Sequence, residues 1–323
     1  MRIVRSFTGL AAADRGAVVA MGNFDGVHLG HQSLIAAAGA IARQAGRPLA
    51  VMAFEPHPRR FFQPDGPPFR LTSPAGRARA LAGLGVELLY ELTFDSPFAA
   101  RTAQEFVQTV LVDGVGVAHL VTGYNLRFGK ARGGDVRLLA RLAAVHGFGH
   151  SAVDAVTDSA DQPYSSSRVR DGVRAGDMAG AAALLGRPWE VEGEVIAGQR
   201  LGRTLGYPTA NINLGEYCPP RHGIYGVRLA PGEAGDGLSD HGVGWLDGVA
   251  SFGTRPTVKG DHELLEVHLL GRTLDLYGRT VRVRWYDFIR PEEAFADLET
   301  LREAIGRDCQ SAARLLAAWP VEP

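Results

Sequence analysis

The order of strands and helices changes once along this chain, and that change limits the possible folds more than any other feature. In the first half, short apolar runs with strand character alternate with segments of helical periodicity. The predicted strands are GAVVAM (16–21), PLAVMAF (48–54), VELLYELTF (86–94), VGVAHLVTG (115–123) and a run around 151–156. Strands that alternate with helices in this way predict an α/β fold, with a doubly wound, mostly parallel sheet covered by helices on both faces.

Helix boundaries in this half are marked by capping residues. A first helix is predicted over 32–45, and a later one over 135–146. Pro74 is predicted to begin another helix, because proline is favoured at the first helical position. Thr102 and Glu105 have the spacing of a capping box ahead of an apolar run. The first half therefore contains the helices that a doubly wound sheet requires.

After residue 186 the helical pattern gives way to strand-like runs separated by glycine and proline. Val281, Val283 and Trp285 alternate with polar residues, as in a strand that is buried on one face. Such runs predict an antiparallel sheet closed as a β-barrel, with an exposed hairpin loop over 231–242. The segment from 291 onward is predicted to be one long helix, whose apolar face is Leu298, Leu301, Ile305 and Leu316. We therefore predict two domains, 1–186 and 187–323.

The composition argues against several classes of protein. The chain has 323 residues, with 34 Lys and Arg against 35 Asp and Glu, whereas nucleic-acid-binding proteins usually carry a basic excess. Two cysteines, Cys218 and Cys309, are too few for a disulfide scaffold or a four-ligand zinc site. We see neither a signal peptide nor an apolar run near the ~20 residues that span a membrane. We therefore expect a cytoplasmic protein that binds neither nucleic acid nor membranes.

The densest group of candidate functional residues follows the first predicted strand, in the sequence GNFDGVHLGH (22–31). Ligands of open parallel sheets bind beyond the carboxyl ends of the strands, and N–H groups at the start of the next helix favour anions. The imidazoles of His28 and His31 are therefore expected to stabilise negative charge on a phosphorus atom. The residues expected to bind ATP or its phosphates here are Gly22, Asn23, Phe24, Asp25 and Gly30.

Two other interpretations of these histidines stay open. Each could be a structural residue with its hydrogen bonds satisfied, although His-x-Gly-His behind a strand and a glycine-rich turn favours a functional role. His28 and His31 could also share a zinc ion, but the sequence offers no matched third ligand.

Two further loops follow predicted strands of the same sheet. Pro56 lies in FEPHPR (54–59), where two prolines make a stiff turn. Asn125, Arg127 and Phe128 lie in GYNLRFG (123–129) and supply an amide, a guanidinium and an aromatic plane. Such groups suit a nucleotide or another flat ring.

A serine-rich motif, SSSRVR (165–170), begins a predicted helix. Serines at a helix start are often only caps. With Arg168 and Arg170 beside them, Ser166 and Ser167 could instead clamp a triphosphate tail.

The second half has its own candidate site, GRTLGYPTAN (202–211). Gly202 and Arg203 belong to a loop that could close on phosphates. Thr209 and Asn211 are two residues apart, so they share one face of an extended segment, and their oxygens suit Mg²⁺. Glu266 lies in a later strand and, taken alone, could be a solvated carboxylate.

The motifs of each half resemble those of one known family. GNFDGVHLGHQ, FEPHPR, TGYNLRFG and SSSRVR, in this order, look like the adenylyltransferase half of bacterial bifunctional riboflavin kinase/FAD synthetases. GRTLGYPTAN, GIYGV, GTRPT and LEVHLL look like riboflavin kinase. The resemblance covers nearly the whole chain. It implies that riboflavin is phosphorylated by ATP to FMN, and that FMN is then adenylylated by ATP to FAD with release of pyrophosphate.

The resemblance also implies roles for the candidate residues. Thr209 and Asn211 would hold the phosphates of Mg²⁺-ATP, Glu266 would be the general base on the ribityl hydroxyl, and Arg168 with Ser166 would hold pyrophosphate. FMN and FAD would be substrate and product rather than redox prosthetic groups, and no obligate protein partner is expected. The residues expected to contact the flavin are Pro56, Arg127 and Phe128.

Two rival functions remain. The first is a nucleotidyltransferase with another acceptor, of the cytidylyl or pantetheine type, but this leaves GRTLGYPTAN without an explanation. The second is a flavin-binding sensor or carrier without catalysis. The presence of His28, His31 and Glu266 argues against the sensor, although a sequence does not demonstrate turnover.

Overall fold

The chain folds into two compact units. The computed structural model describes residues 1–198, 201–231, 244–257 and 260–319. One unit comprises Met1–Pro67 and Arg77–Ser165, and the other comprises Pro68–Gly76 and Ser166–Pro323. The two units are defined by which residues pack together and are not continuous in sequence. The predicted division into domains 1–186 and 187–323 therefore stays a prediction. A short segment from the first half of the sequence thus packs with the second half.

The first unit is built around a six-stranded parallel sheet, as predicted, with the order β1-β4-β3-β2-β5-β8. Because both faces of such a sheet are buried, its central strands are continuous apolar runs, and every residue of Val18–Met21 is buried. A separate two-stranded ribbon joins β6 and β7. The strands are β1 (Arg2–Val4), β2 (Val18–Met21), β3 (Leu49–Glu55), β4 (Leu88–Thr93), β5 (His119–Gly123), β6 (Arg127–Phe128), β7 (Gly134–Asp135) and β8 (Gly149–Val153).

The predicted helix signals act as expected. Thr102 and Glu105 form both hydrogen bonds of a capping box, after which the chain continues as a π-helix over Phe106–Gly114. Gly46 ends the first helix in the left-handed conformation. The chain up to Gly147 contains α1 (Leu29–Ala45), α2 (Pro58–Phe62), α3 (Pro74–Gly83), α4 (Ser96–Ala99), α5 (Ala103–Glu105) and α6 (Val136–His146), with 3-10 turns at Ala12–Asp14 and Lys130–Arg132.

The second unit contains a closed antiparallel barrel, also as predicted, with the order β10-β13-β12-β11-β14-β9. Val281, Val283 and Trp285 point into its core, where the rings of Trp285 and Trp189 lie 5.5 Å apart. The hairpin loop predicted over 231–242 lies almost entirely outside the described residues. The strands are β9 (Trp189–Ile196), β10 (Ala210–Ile212), β11 (Gly223–Pro231), β12 (Leu246–Thr257), β13 (Gly260–Leu269) and β14 (Thr280–Arg290). The helices are α7 (Ser166–Ala175), α8 (Met178–Leu185), α9 (Leu201–Thr204) and α10 (Leu298–Ala317).

The terminal helix differs from its prediction in two ways. It begins at Leu298 rather than near 291, and Leu298 is 57% exposed. The side of α10 that packs on the barrel carries small residues, with Asp308 buried among them because Arg290 binds its two oxygens at 2.8 and 2.7 Å. The buried residues of the helix are Ala304, Asp308, Ala312 and Leu316. Small side chains allow the helix to approach the strands closely.

Residues 68–76, here called the strap, belong to the second unit. The backbone N–H groups of Phe69 and Arg70 donate to the carbonyl of Glu216 at 3.0 and 2.8 Å. The indole N–H of Trp189 donates to the carbonyl of Leu71 at 2.9 Å. Phe69 and Leu71 are almost fully buried.

No helix within the described part of the chain is long and apolar enough to cross a membrane.

Candidate active sites

The glycine-rich turn after β2 has an unusual backbone. Phe24 and Val27 have positive φ angles of 52° and 45°, although neither is glycine, and both side chains are buried. Left-handed backbone at non-glycine residues is costly and is often found at functional sites. At Gly22, a Cβ atom would lie 3.3 Å from the Phe24 ring. The turn therefore brings its backbone close to the carboxyl end of the sheet, with Asp25 buried beside it.

The two predicted histidines come together at the start of α1. His28 is the N-cap residue, and its Nδ1 accepts a hydrogen bond from the His31 N–H at 3.3 Å. The two imidazole rings are stacked, with centroids 3.7 Å apart and planes 21° apart. At Gly30 a Cβ atom would lie 3.2 Å from the His28 ring, so a side chain there would crowd it. The pair thus lies at a helix N-terminus, which favours anions.

The loop after β3 contains Pro56, which is exposed and follows a cis peptide bond from Glu55. His57 is buried, and its Nδ1 accepts a hydrogen bond from the Arg59 N–H at 3.0 Å, which caps α2. His57 therefore has a structural role that its position in the motif did not reveal.

The three candidate residues in the loop after β5 differ in their exposure. Asn125 and Arg127 are exposed, and Arg127 lies 3.6 Å from Asp135. Phe128, in contrast, is buried against Phe106, with ring centroids 5.7 Å apart. The loop thus presents an amide and a guanidinium more openly than an aromatic plane.

A cluster of aromatic side chains near α2 was not found from the sequence. Phe61, Phe62 and Phe94 contact one another edge to face, with ring centroids 5.1 to 5.8 Å apart. Phe62 is 66% exposed, an unusual exposure for phenylalanine. The pair Phe61-Phe62, one residue beyond FEPHPR, was the available signal for an aromatic surface in this part of the chain.

Ser166, Ser167 and Arg168 lie at the start of α7, and the packing assigns them to the second unit. Arg170, the other arginine of this motif, is buried, and its Nε donates to the carbonyl of Phe69 at 2.7 Å. Arg170 therefore anchors the strap, and the predicted phosphate clamp depends on Arg168.

Three of the five candidate residues of the second half lie on or next to paired strands of the barrel. Asn211 on β10 lies directly opposite Glu266 on β13, and Ser251 on β12 lies opposite Glu266 from the other side. Directly opposite residues have Cβ atoms about 4.5–5.5 Å apart. Glu266 is half-buried rather than fully solvated. Thr209 precedes β10 and, with Asn211, lines an open cavity.

The lining of this cavity combines two kinds of surface. Thr209 and Asn211 provide polar groups, while Val195, Leu269 and Leu276 provide apolar surface. Ligand pockets are typically apolar, with a few polar groups that fix orientation. Arg272, Thr273, Leu274 and Tyr277 line the cavity as well.

The donor set fits Mg²⁺ with a nucleotide. Asn211 is 4% exposed, and its Oδ1 atom is buried without a hydrogen-bond partner among the described residues. A buried acceptor of this kind is costly unless a ligand uses it. The Thr209 hydroxyl and the Asn211 amide are neutral oxygen donors, as expected for a hard cation that also binds phosphate. Among the described residues, no cluster of three or more His, Cys, Asp or Glu could hold a metal ion by itself.

Gly202 and Arg203 lie in α9, and the Arg203 side chain is outside the described residues. A Cβ atom on Gly202 would clash with the carbonyl oxygen of Tyr207, so this position requires glycine. The Tyr207 ring packs edge to face on His268, two residues after Glu266, at 5.3 Å. The motif is therefore folded closely against the strand that carries Glu266.

In comparison with known proteins, a different family model matches each half of the chain. The family model for FAD synthetase matches residues 10–168, and the model for riboflavin kinase matches residues 185–316. The bifunctional riboflavin kinase/FMN adenylyltransferase of Escherichia coli (strain K12) is 39% identical over 309 residues, which are 95% of this chain and 96% of that protein. The chain belongs to this family. It therefore has riboflavin kinase and FAD synthetase activities, and riboflavin, FMN and ATP are its substrates.

Other relatives agree. The Pseudomonas fluorescens member of the family is 41% identical over 319 residues, 98% of each protein. A solved structure described as a macrolide-efflux protein from Streptococcus pneumoniae has a TM-score of 0.83 and 30% identity, and the match covers 99% of both chains. That description concerns the neighbour, whereas the family models and the curated relatives name flavin chemistry.

Proposed function

We propose that the two activities use separate sites on this chain, with adenylyl transfer at His28 and His31 and riboflavin phosphorylation at Thr209, Asn211 and Glu266. The observation that carries the second assignment is the pairing of Asn211 with Glu266 across β10 and β13. The stacked imidazoles behind a left-handed turn support the first. The corresponding functional domains would be 1–186 and 187–323.

In the kinase reaction, the oxygen of the ribityl hydroxyl attacks the γ-phosphorus of ATP, Glu266 accepts the hydroxyl proton, and ADP leaves as the bond between the γ-phosphorus and the bridging oxygen breaks. A primary alcohol is a weak nucleophile, so a positioned carboxylate accelerates this step. Mg²⁺ bound with ATP through Thr209 and Asn211 would neutralise charge on the phosphates. Gly202 and Arg203 contribute to the same phosphate site.

In the adenylyl transfer, an oxygen of the FMN phosphate attacks the α-phosphorus of ATP and pyrophosphate leaves. The attacking phosphate is already ionised, so the reaction needs no nucleophile from the protein. His28 and His31 stabilise the charge that develops on the phosphorus oxygens, and Arg168 with Ser166 holds the leaving pyrophosphate. The other proposed ATP contacts are Gly22, Asn23, Phe24, Asp25, Gly30, Asn125 and Ser167.

The flavin of FMN is proposed to lie near Pro56, Arg127 and Phe128. Pro56 is exposed two residues before α2 begins, and the largely exposed ring of Phe62 in that helix offers an aromatic face to an isoalloxazine ring. FMN and FAD pass through the protein as substrate and product. Extensive dialysis is therefore expected to remove the flavin without lowering either activity once substrates are restored.

The division of activities can be tested with His28→Ala in the full chain. FMN formation from riboflavin and FAD formation from supplied FMN are measured separately by chromatography. FAD formation is expected to fall by about 10²–10³-fold, the usual effect of removing one charge-stabilising donor, while FMN formation stays unchanged. Equal loss of both activities in a folded variant would contradict the assignment.

We also propose that the protein works in the cytoplasm without an obligate protein partner. Its cysteines, Cys218 and Cys309, are free in the structure, which suits a reducing compartment. Light scattering of the purified chain, together with both assays, tests whether it is active without another protein.

A further inference from the structure

A buried arginine on α3 contacts the carboxyl ends of three neighbouring strands. Arg77 is 2% exposed, and its Nη2 donates to Glu91 on β4 at 3.0 Å. The same nitrogen lies 3.4 Å from Glu55 at the end of β3. Its Nη1 donates to the carbonyl of Asn23, in the glycine-rich turn after β2, at 3.4 Å. Since β4, β3 and β2 are adjacent in the sheet, one guanidinium links all three strand ends.

Stability alone is a poor explanation for this arrangement. Burying charged groups costs desolvation energy, and well-packed apolar residues often replace such groups without loss of stability. Arg77 is also incompletely satisfied, because its Nε has no hydrogen-bond partner within the described part of the chain. The guanidinium contacts two carboxylates, and Glu91 has a second cation, Arg5, at 3.5 Å. An apolar residue in place of Arg77 would lack the N–H donors on two branches of the guanidinium.

The two loops that Arg77 contacts are those of the proposed adenylyl-transfer site. Asn23 belongs to the turn that leads to His28, and Glu55 directly precedes Pro56. A planar guanidinium with donors on two branches can fix two groups relative to each other, which a lysine ammonium does poorly. A shift of about 1 Å in such a site can reduce the rate by about 10²-fold.

We propose that Arg77 is a positioning residue for adenylyl transfer, which fixes the Asn23 carbonyl and Glu55 and so sets the distance between the phosphate loop and the Pro56 loop. This inference rests on the assignment of adenylyl transfer to the site at His28. Arg77 does not touch the reacting atoms. Its effect is therefore on kcat for FAD formation rather than on riboflavin phosphorylation.

The first test is Arg77→Lys in the full chain. Lysine keeps a positive charge near Glu91 but loses the forked donor. We expect kcat for FAD formation to fall at least tenfold with a smaller change in KM, while FMN formation and the thermal unfolding midpoint stay close to those of the wild type. Wild-type kcat for FAD formation in this variant would overturn the proposal.

The second test separates positioning from charge neutralisation. Arg77→Met leaves Glu91 without its buried partner, whereas the double variant Arg77→Met/Glu91→Gln removes both charges. The double variant is expected to recover thermal stability relative to Arg77→Met but not FAD formation. Recovery of FAD formation together with stability would show that Arg77 only neutralises Glu91. The His28→Ala variant serves as the control, since full FAD formation there overturns the site assignment itself.

Discussion

Replacement of Glu266 by glutamine tests the proposed general base directly. Glutamine keeps the size of the side chain and its ability to accept hydrogen bonds. Glu266 is half-buried on β13 between Asn211 and Ser251, so the variant leaves no cavity in the barrel. Since glutamine fills the same space, we expect the free energy of unfolding to change less than in a substitution that opens a cavity, which typically costs about 2–5 kcal/mol.

The expected kinetic effect is much larger. General bases contribute about 10²–10⁴-fold to the rate. At about 1.36 kcal/mol for each factor of ten, this corresponds to roughly 2.7–5.4 kcal/mol of transition-state stabilisation. In a variant that remains folded, the loss of FMN formation should therefore far exceed the effect of a small change in the free energy of unfolding.

The assay supplies riboflavin, ATP and Mg²⁺ to one portion of the protein, and FMN, ATP and Mg²⁺ to another, and separates the products by chromatography. FMN formation is expected to fall by at least 10²-fold, while FAD formation from supplied FMN is retained. Glu263→Gln is the matched control, because Glu263 is an exposed glutamate of the same strand that contacts His222 at 2.9 Å. An equal loss of both products in a folded Glu266→Gln protein would refute the reasoning.

Three further outcomes are expected. Gly30→Ala should lower FAD formation about tenfold and leave FMN formation unchanged, because the alanine Cβ would lie 3.2 Å from the His28 ring. The control is Gly83→Ala, where the added Cβ would meet nothing within 4 Å. Arg228→Leu should lower the free energy of unfolding in urea by about 2–3 kcal/mol, which is less than the ~3–5 kcal/mol lost when a fully buried ion pair is broken. The reason is that the buried guanidinium donates to two carbonyls at the end of α10. An unchanged urea midpoint would contradict this prediction. Burial lowers the pKa of His150, and also that of His119. The folded protein therefore binds fewer protons than the unfolded chain below about pH 6.5, and the thermal midpoint should be lower at pH 5.5 than at 7.5. A midpoint that rises at pH 5.5 would exclude this, and His150→Gln should reduce the difference.

The parts of the fold that could be predicted are those whose signals are local. Long apolar runs identified the central strands, because a strand buried on both faces admits few polar residues. The capping box at Thr102 and Glu105 likewise depends only on residues three apart. The face of α10 could not be predicted, since the burial of Asp308 depends on Arg290 of another element. Its leucines had suggested a different face.

In the candidate sites, too, only the features whose signal is local in sequence could be predicted. His28 and His31 are close in sequence, and their proximity was predicted from spacing alone. The pairing of Asn211 with Glu266 depends on the register of two strands more than fifty residues apart, so composition and periodicity could not predict it, and only the family resemblance linked the two residues. The exposure of Phe62 and the burial of Phe128 depend on tertiary packing, which a sequence pattern does not contain.

The packing of the strap affects whether the two halves of this protein could be produced as separate chains. Leu71 is encoded in the first half of the gene but belongs to the same buried cluster as Trp189 and other barrel residues encoded later. A gene cut at codon 186 would therefore divide this cluster, with Leu71 on one fragment and the barrel residues of the same cluster on the other. Expression of the two halves as separate chains is therefore expected to expose apolar surface on both fragments.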